Sequence, residues 1–312
     1  MFNQQNYIKS YSFFRKAFIL KGILIVKKVL LSLPLMCSFY AYAGEQNCSA
    51  DTIAINNFNN FVFAQERPFN DSLKAMNSRT TSQDDYINNT VQTKFDDCGA
   101  LIELTGHEVV KFSIHDSVSV KSIDMSMKKN GDGWDYKSAF KLSVINQDNV
   151  EKTILQQKMN GKFFTDQNGK ITEAKDSSYT TTLDKERMLT RAVTTFLTDD
   201  KGRLSESNRV STLENDSVKT AFHYDAKNRL VRMQSDSTVK EFTYDDDDRP
   251  LTEKTIEEFF TTETTVTTCK SWNTFGRCTD AEKNITTLIK DEHGGKDSVY
   301  NYHANIKYDY VY

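Results

Sequence analysis

Proline is scarce in this chain of 312 residues, with three copies, and glycine is limited to twelve. That scarcity excludes a collagen-like repeat and a long Pro/Gly linker. There is no glycine-rich phosphate loop, no G-x-S-x-G nucleophile turn and no paired C-x-x-C. Those absences remove the common signatures of nucleotide binding, serine hydrolysis, zinc ribbons and thioredoxin-like redox centres. No run of about twenty apolar residues is free of charge, so an ordinary membrane-spanning helix is not encoded. Basic residues are also in deficit. Six Lys or Arg and no acid fall in residues 1–43, which leaves 34 basic against 43 acidic side chains in 44–312. A downstream chain near −9 argues against a nucleic-acid partner.

What the sequence does hold is aromatic and polar. Twenty Phe, fourteen Tyr and two Trp supply material for a core, although mean hydropathy is −0.59. Thr, Ser, Asn and Asp are abundant, a balance that favours strands and turns. The expected fold is mainly β, an antiparallel meander of hairpins forming an extended sheet or sandwich. A minor helix near the N-terminus is expected around Asp71–Met76. Residues 44–110, rich in Asn and Asp, read as a partly irregular N-terminal subdomain. Residues 111–312 read as the hairpin domain, with strand-like segments already visible from Leu101 and a turn at Asn130–Gly133.

The amino terminus reads as an export signal. Lys27 and Lys28 precede the apolar VLLSLPLMCSFYAYA, and Ala41-Tyr42-Ala43 before Gly44 form a small-x-small cleavage site. Residues 26–43 are therefore the expected signal peptide, with 1–25 an upstream extension if translation starts near Val26. A retained anchor and lipidation at Cys37 are the alternatives. Pro34-Leu35-Met36 makes a poor lipobox.

Cleavage after Ala43 leaves Cys48, Cys98, Cys269 and Cys278, an even set suited to an oxidising compartment. Four cysteines allow three connectivities, and Cys48–Cys98 with Cys269–Cys278 is expected because the second pair is close in sequence. A tight turn at Asn273–Gly276 would leave Cys269 diagonal to Cys278 and beyond bonding reach, so either that hairpin has a wider loop or the pairing differs.

One internal pattern recurs: aromatic or Thr, Asp, two residues, Gly or Asn, Arg or Lys, then Leu or Ile. It reads TDQNGKI from Thr165, TDDKGRL from Thr198 and YDAKNRL from Tyr224. Weaker copies are YDDDDRPL from Tyr244, WNTFGRC from Trp272 and KDEHGGK from Lys290. Asp at the first turn position accepts backbone amides, and Gly or Asn at the fourth tolerates left-handed backbone. Asp166/Gly169, Asp199/Gly202, Asp225/Asn228, Asp245 and Gly276 are thus the expected hairpin turn residues. Copies are 18 to 33 residues apart, too irregular for a solenoid.

The segments YDDDDRPLTEK, Cys269–Cys278 with Trp272 between, and VYNYHANIKYDYVY resemble the carboxyl-terminal part of the YnfC-like family of enterobacterial envelope lipoproteins. The resemblance covers about a third of the chain and implies an envelope location and a β-rich fold, not a mechanism. The turn pattern is also similar to the YD repeats of Rhs-type surface proteins, which implies hairpin geometry alone.

Four motifs invite chemistry. His107-Glu108-Val109-Val110-Lys111 begins like a zinc-protease motif but lacks the second His. Ser138-Ala139-Phe140-Lys141 matches S-x-x-K without a K-T-G partner. Asp245 to Asp248, and Asn130 to Gly133, suggest calcium but read better as turns. The histidines 107, 115, 223, 293 and 303 show no ligand spacing. No catalytic residue, metal or cofactor is therefore assigned. The expected function is a non-enzymatic envelope module that binds an envelope or surface partner. An outer-membrane β-barrel, suggested by the alternating Ile306, Tyr308, Tyr310 and Tyr312, and a periplasmic hydrolase are the alternatives. Membrane association is otherwise expected only with lipidation at Cys37 or a retained signal.

Overall fold

A computed structural model describes residues 48–64, 73–114, 117–183, 187–213, 216–258, 261–289 and 297–312. Ala41, Ala43, Gly44, Cys37 and the KDEHGGK copy lie outside the described residues.

One helix, α1 (Ala50–Ala64), precedes sixteen strands. The first eight are β1 (Ala75–Ser82), β2 (Ile87–Phe95), β3 (Leu101–Ile114), β4 (Ser117–Asn130), β5 (Gly133–Ile145), β6 (Glu151–Thr165), β7 (Ile171–Thr182) and β8 (Arg187–Thr198). The rest are β9 (Leu204–Ser211), β10 (Val218–Tyr224), β11 (Leu230–Gln234), β12 (Thr238–Tyr244), β13 (Pro250–Glu258), β14 (Thr261–Trp272), β15 (Cys278–Ile289) and β16 (Ser298–Val311). Each strand pairs antiparallel with its chain neighbours, and β1 pairs with β16 from Ala75↔Val311 to Ser82↔Ala304. The sheet therefore closes into a sixteen-stranded barrel.

Closure corrects the expected extended sheet or sandwich. Local alternation specifies hairpins, but the pairing of first strand with last spans the whole chain and leaves no local signal. It also removes both sheet edges, which in an open meander would expose unpaired backbone groups. The expected helix at Asp71–Met76 is corrected too: Ala75 and Met76 begin β1, and the helix lies upstream at Ala50–Ala64. The boundary drawn at residue 110 falls inside β3, and β1 to β3 are walls of the same barrel as β4 to β16.

The strands form where the two-residue period is clean. In β2, burial and exposure alternate at every position, with Ile87, Val91 and Phe95 buried and Asn88, Thr90, Gln92 and Lys94 exposed. Burying each such large apolar side chain is worth about 1.5–3 kcal/mol. Followed through the registers, the buried face of β2 leads to Leu104 and Val110, then Met127 and Ile123, Tyr136 and Phe140, Phe163, Ala174 and Thr194. This continuous face points inward.

Candidate functional site

Along one rim of the barrel, which also carries the Asn130–Gly133 turn, six turns share one design, at residues 96–100, 166–170, 199–203, 225–229, 245–249 and 273–277. Each uses the same bonds. In the second, Asp166 N–H donates to Lys170 C=O, Gly169 N–H donates to Asp166 C=O, and the Asp166 carboxylate accepts from the amides of Asn168 and Lys170. The fourth position is left-handed in all six: Gly99, Gly169, Gly202, Asn228, Asp248 and Gly276 have φ between 62° and 85°. Asp199, Asp225 and Asp245 hold the first position of their turns, and Asn273 holds it before Gly276. Asp96-Asp97-Cys98-Gly99 belongs to the series, although its sequence lacks the following Arg or Lys.

The motif also fastens each hairpin to the next. Arg203 lies 4.3 Å from the Tyr224 ring centroid, Arg229 4.5 Å from Tyr244, Arg249 4.7 Å from Trp272 and Arg277 5.8 Å from Tyr310. Each aromatic in turn donates to a carbonyl beside the preceding turn: Tyr224 to Leu204, Tyr244 to Leu230, Trp272 to Pro250 and Tyr310 to Cys278. The aromatic and the Arg were legible as a recurrence; their role across hairpins was not, because it joins separate copies.

Helix α1 sits against this rim. Ser49 caps it, accepting from Thr52 N–H at 3.1 Å, and Asp51 lies in the first turn, where a negative charge favours the dipole. Asparagine is a weak helix former, yet here the amides bind the rim. Asn59 donates to Gly169 C=O and accepts from Ile171 N–H, both at 2.8 Å. Asn60 does the same to Gly99 C=O and Leu101 N–H at 2.7 and 3.2 Å, and Asn56 donates to Cys98 C=O. Phe61 meets Phe222 edge-on, and Phe63 meets Trp134 and Phe163. The Cys48–Cys98 disulfide ties the start of the helix to the first of these turns. The helix is thus a tethered plug.

The second disulfide joins Cys269 and Cys278, with Cα atoms 5.7 Å apart. The geometric objection to it is corrected by paired irregularities: Lys270 on β14 and Thr279 on β15 drop out of the register between Cys269↔Ala281 and Trp272↔Cys278. The crumpled ladder brings the diagonal cysteines together while the turn at Asn273–Gly276 stays tight.

Beneath the plug, an ionic group is sealed inside. Arg209 donates to both carboxylate oxygens of Asp176 at 2.5 and 3.1 Å and to Asp216 at 3.2 Å, and the Tyr136 hydroxyl donates to Asp176. Burial pushes the Asp216 carboxyl above its ordinary value, against the opposing pull of Arg209. Tyr136 reaches Asp176 by lying over Gly161, where a β-carbon would come within 2.3 Å of its ring.

Away from the plug, the inward positions are less covered. Thr255, Glu257, Thr261, Glu263 and Thr265 are half-buried, and Tyr300 is 39% exposed. Lys121 pairs with Glu108 here at 2.9 Å, and the Tyr86 and Tyr302 rings stack at 3.5 Å.

The sequence-flagged motifs do not assemble. His107 faces outward and bonds Asp124 at 2.7 Å, while Lys111 pairs with Asp85. Ser138 and Lys141, three apart in a strand, lie on opposite faces of β5. Asp248 bonds Lys227 and Arg229, and Asp247 pairs with Arg249. Asn130 and Gly133 flank the tight turn from β4 to β5. Among the described residues no group of three His, Cys, Asp or Glu is placed to hold a metal ion.

No known protein family matches the chain, and no curated protein matches it. Among solved structures, a porin-like protein from Bacteroides uniformis is similar over 77% of this chain and 98% of its own, at 10% identity and a TM-score of 0.41. The β domain of the Bordetella autotransporter BrkA is similar over 76% and 99%, at 7% identity and a TM-score of 0.17. At these scores neither carries a functional argument, and the barrel rests on strand register.

Proposed function

We propose that this chain is an envelope barrel with a water-facing wall, plugged at one end by α1, whose lumen beyond the plug is the binding surface. The observation that carries this reading is the distribution of polarity across the wall. The buried apolar core points inward, whereas the outward positions mix apolar residues such as Tyr179, Leu189 and Val193 with Lys94, His107, Lys137, Arg191, Lys254 and Lys307 on six different strands. Arg191 and Lys254 stand in the middle of their strands, where an Arg or Lys facing lipid at the bilayer midplane costs about 2–4 kcal/mol. Sixteen strands also make a wide barrel, which at this size ordinarily encloses a channel unless something fills it. The plug fills one end. Beyond it the lumen combines aromatic, aliphatic and ionic groups, a lining suited to a ligand with apolar and charged parts.

The outer-membrane barrel is the second reading. A closed antiparallel ring with an even strand number and a Tyr-rich last strand is its architecture, and closure favours it over the open interaction sheet expected from the sequence. Fractionation separates the two. Release by osmotic shock, with a small amphiphile retained in native mass spectrometry, is the expected result. Heat-modifiable migration from the outer-membrane fraction would replace the first reading with the second.

A further inference from the structure

One sector of the outer wall departs from the charge of the rest. On β5 to β8 the outward positions hold Lys137, Lys141, Lys158, Lys162, Lys175, Arg187 and Arg191, against Asp135, Glu151 and Glu173, with Lys141 paired to Glu151. The chain after residue 43 is acidic by nine charges, so a basic sector opposes the overall balance. Lys162 stands directly across from Lys175, a like-charge pairing that a sheet disfavours, with Lys162 paired to Asp132 at 3.2 Å and Lys175 to Glu173 at 2.6 Å. Both ammonium groups lie near the Phe164 ring, at 5.5 and 5.2 Å. Among the described residues no carboxylate pairs with Lys137, Lys158 or Arg191.

Apolar side chains are set among these cations. Tyr179 is 55% exposed, Leu189 41%, Val193 37% and Val210 59%. The register places them together: Lys158, Tyr179 and Leu189 lie abreast, as do Lys162, Lys175, Val193 and Val210, with Arg191 in the row between.

We infer that the β5–β8 face docks this barrel reversibly on an anionic phospholipid surface. Cations at headgroup level are attracted to lipid phosphates, while Tyr, Leu and Val side chains between them sink into the interface. A soluble polyanion would satisfy the cations and leave the apolar groups in water. The inference rests on the water-facing reading of the wall, since a bilayer-spanning barrel would bury this face in hydrocarbon.

The test is co-sedimentation of the exported protein with vesicles of phosphatidylcholine alone and of phosphatidylcholine mixed with phosphatidylglycerol. Binding to the second alone, reversed by high salt, is expected. The variant Lys158→Glu/Arg191→Glu breaks no ion pair among the described residues and should bind at least about tenfold more weakly. Tyr179→Ser/Leu189→Ser should also weaken binding while keeping the salt dependence. A protein that stays soluble and ignores anionic vesicles overturns the inference and leaves the wall reading intact. Retention through high salt and an alkaline wash overturns the wall reading itself. If polyphosphate competes fully and Tyr179→Ser/Leu189→Ser binds like the natural chain, the face serves soluble polyanions and the inference falls.

Discussion

The guanidinium of Arg203 lies 4.3 Å from the ring centroid of Tyr224, and the Tyr224 hydroxyl donates to the carbonyl of Leu204 at 2.8 Å. One aromatic thus holds both the side chain and the backbone of the preceding hairpin. Local turn chemistry becomes lateral cohesion, which a wide barrel needs because most of its strands have no partner directly behind them.

Tyr224→Phe keeps the stacking and removes the bond to Leu204. It should lower stability by about 1 kcal/mol, measured by urea unfolding. In a double-mutant cycle, Arg203→Ala with Tyr224→Ala should show a coupling of about 0.5–1 kcal/mol. Purely additive effects would mean that the contact is incidental.

The turn carboxylates predict an acid limb to stability. The backbone amide of Arg229 is the main cause that holds Asp225 below its ordinary value of 3.8; desolvation opposes it and the Arg229 side chain adds to it. A depressed folded pKa stabilises the fold fully above the unfolded value, and the contribution is lost as pH falls through the folded value. Urea midpoints should therefore decline below about pH 4. Asp225→Asn should flatten its share of that decline, because Asn273 makes the same two amide contacts at 3.0 Å without a charge. An unchanged acid limb in the variant would refute the assignment.

Removing the Asn59 amide leaves Gly169 C=O and Ile171 N–H without their partner, and Ile171 is only 1% exposed. Asn59→Ala should cost about 2–4 kcal/mol, since each buried unsatisfied group costs about 1–3. Hydrogen exchange at Ile171 should accelerate more than exchange in β14 and β15. Equal acceleration everywhere would mean that the helix is integral to the barrel rather than a docked plug.

The two disulfides should differ in weight. Cys48–Cys98 closes a separation of 50 residues and Cys269–Cys278 one of nine. Loop-closure entropy predicts losses of about 4 and about 3 kcal/mol for the respective double serine variants. The first should also loosen α1, read as faster proteolysis near Ala64. A larger loss from the second pair would show that the bulged β14–β15 ladder depends on its bond.

Much of the fold was legible because its determinants are local. In β10 the alternation of Val218, Thr220, Phe222 and Tyr224 with Lys219 and His223 is written in the sequence itself, and it separates the inner face from the outer. The Asp-x-x-Gly pattern specified the turns, since carboxylate and left-handed position lie within five residues of each other. Asn56, Asn59 and Asn60 misled, because asparagines argue for irregular chain until rim carbonyls and amides are there to receive them. Ser138 and Lys141 were decided by strand parity. The lumen was not legible at all: Lys121, Glu108 and Glu263 come from three strands with no shared motif.

By itself, then, the sequence determined strands and turn chemistry, both of which depend on neighbours along the chain. Only the tertiary structure decided that Ala75 meets Val311, that α1 plugs the rim, and that cations from β5 to β8 share one outer face. Each of these joins residues that are distant along the chain, and closing such contacts is governed by the packing of the whole chain rather than by any local preference.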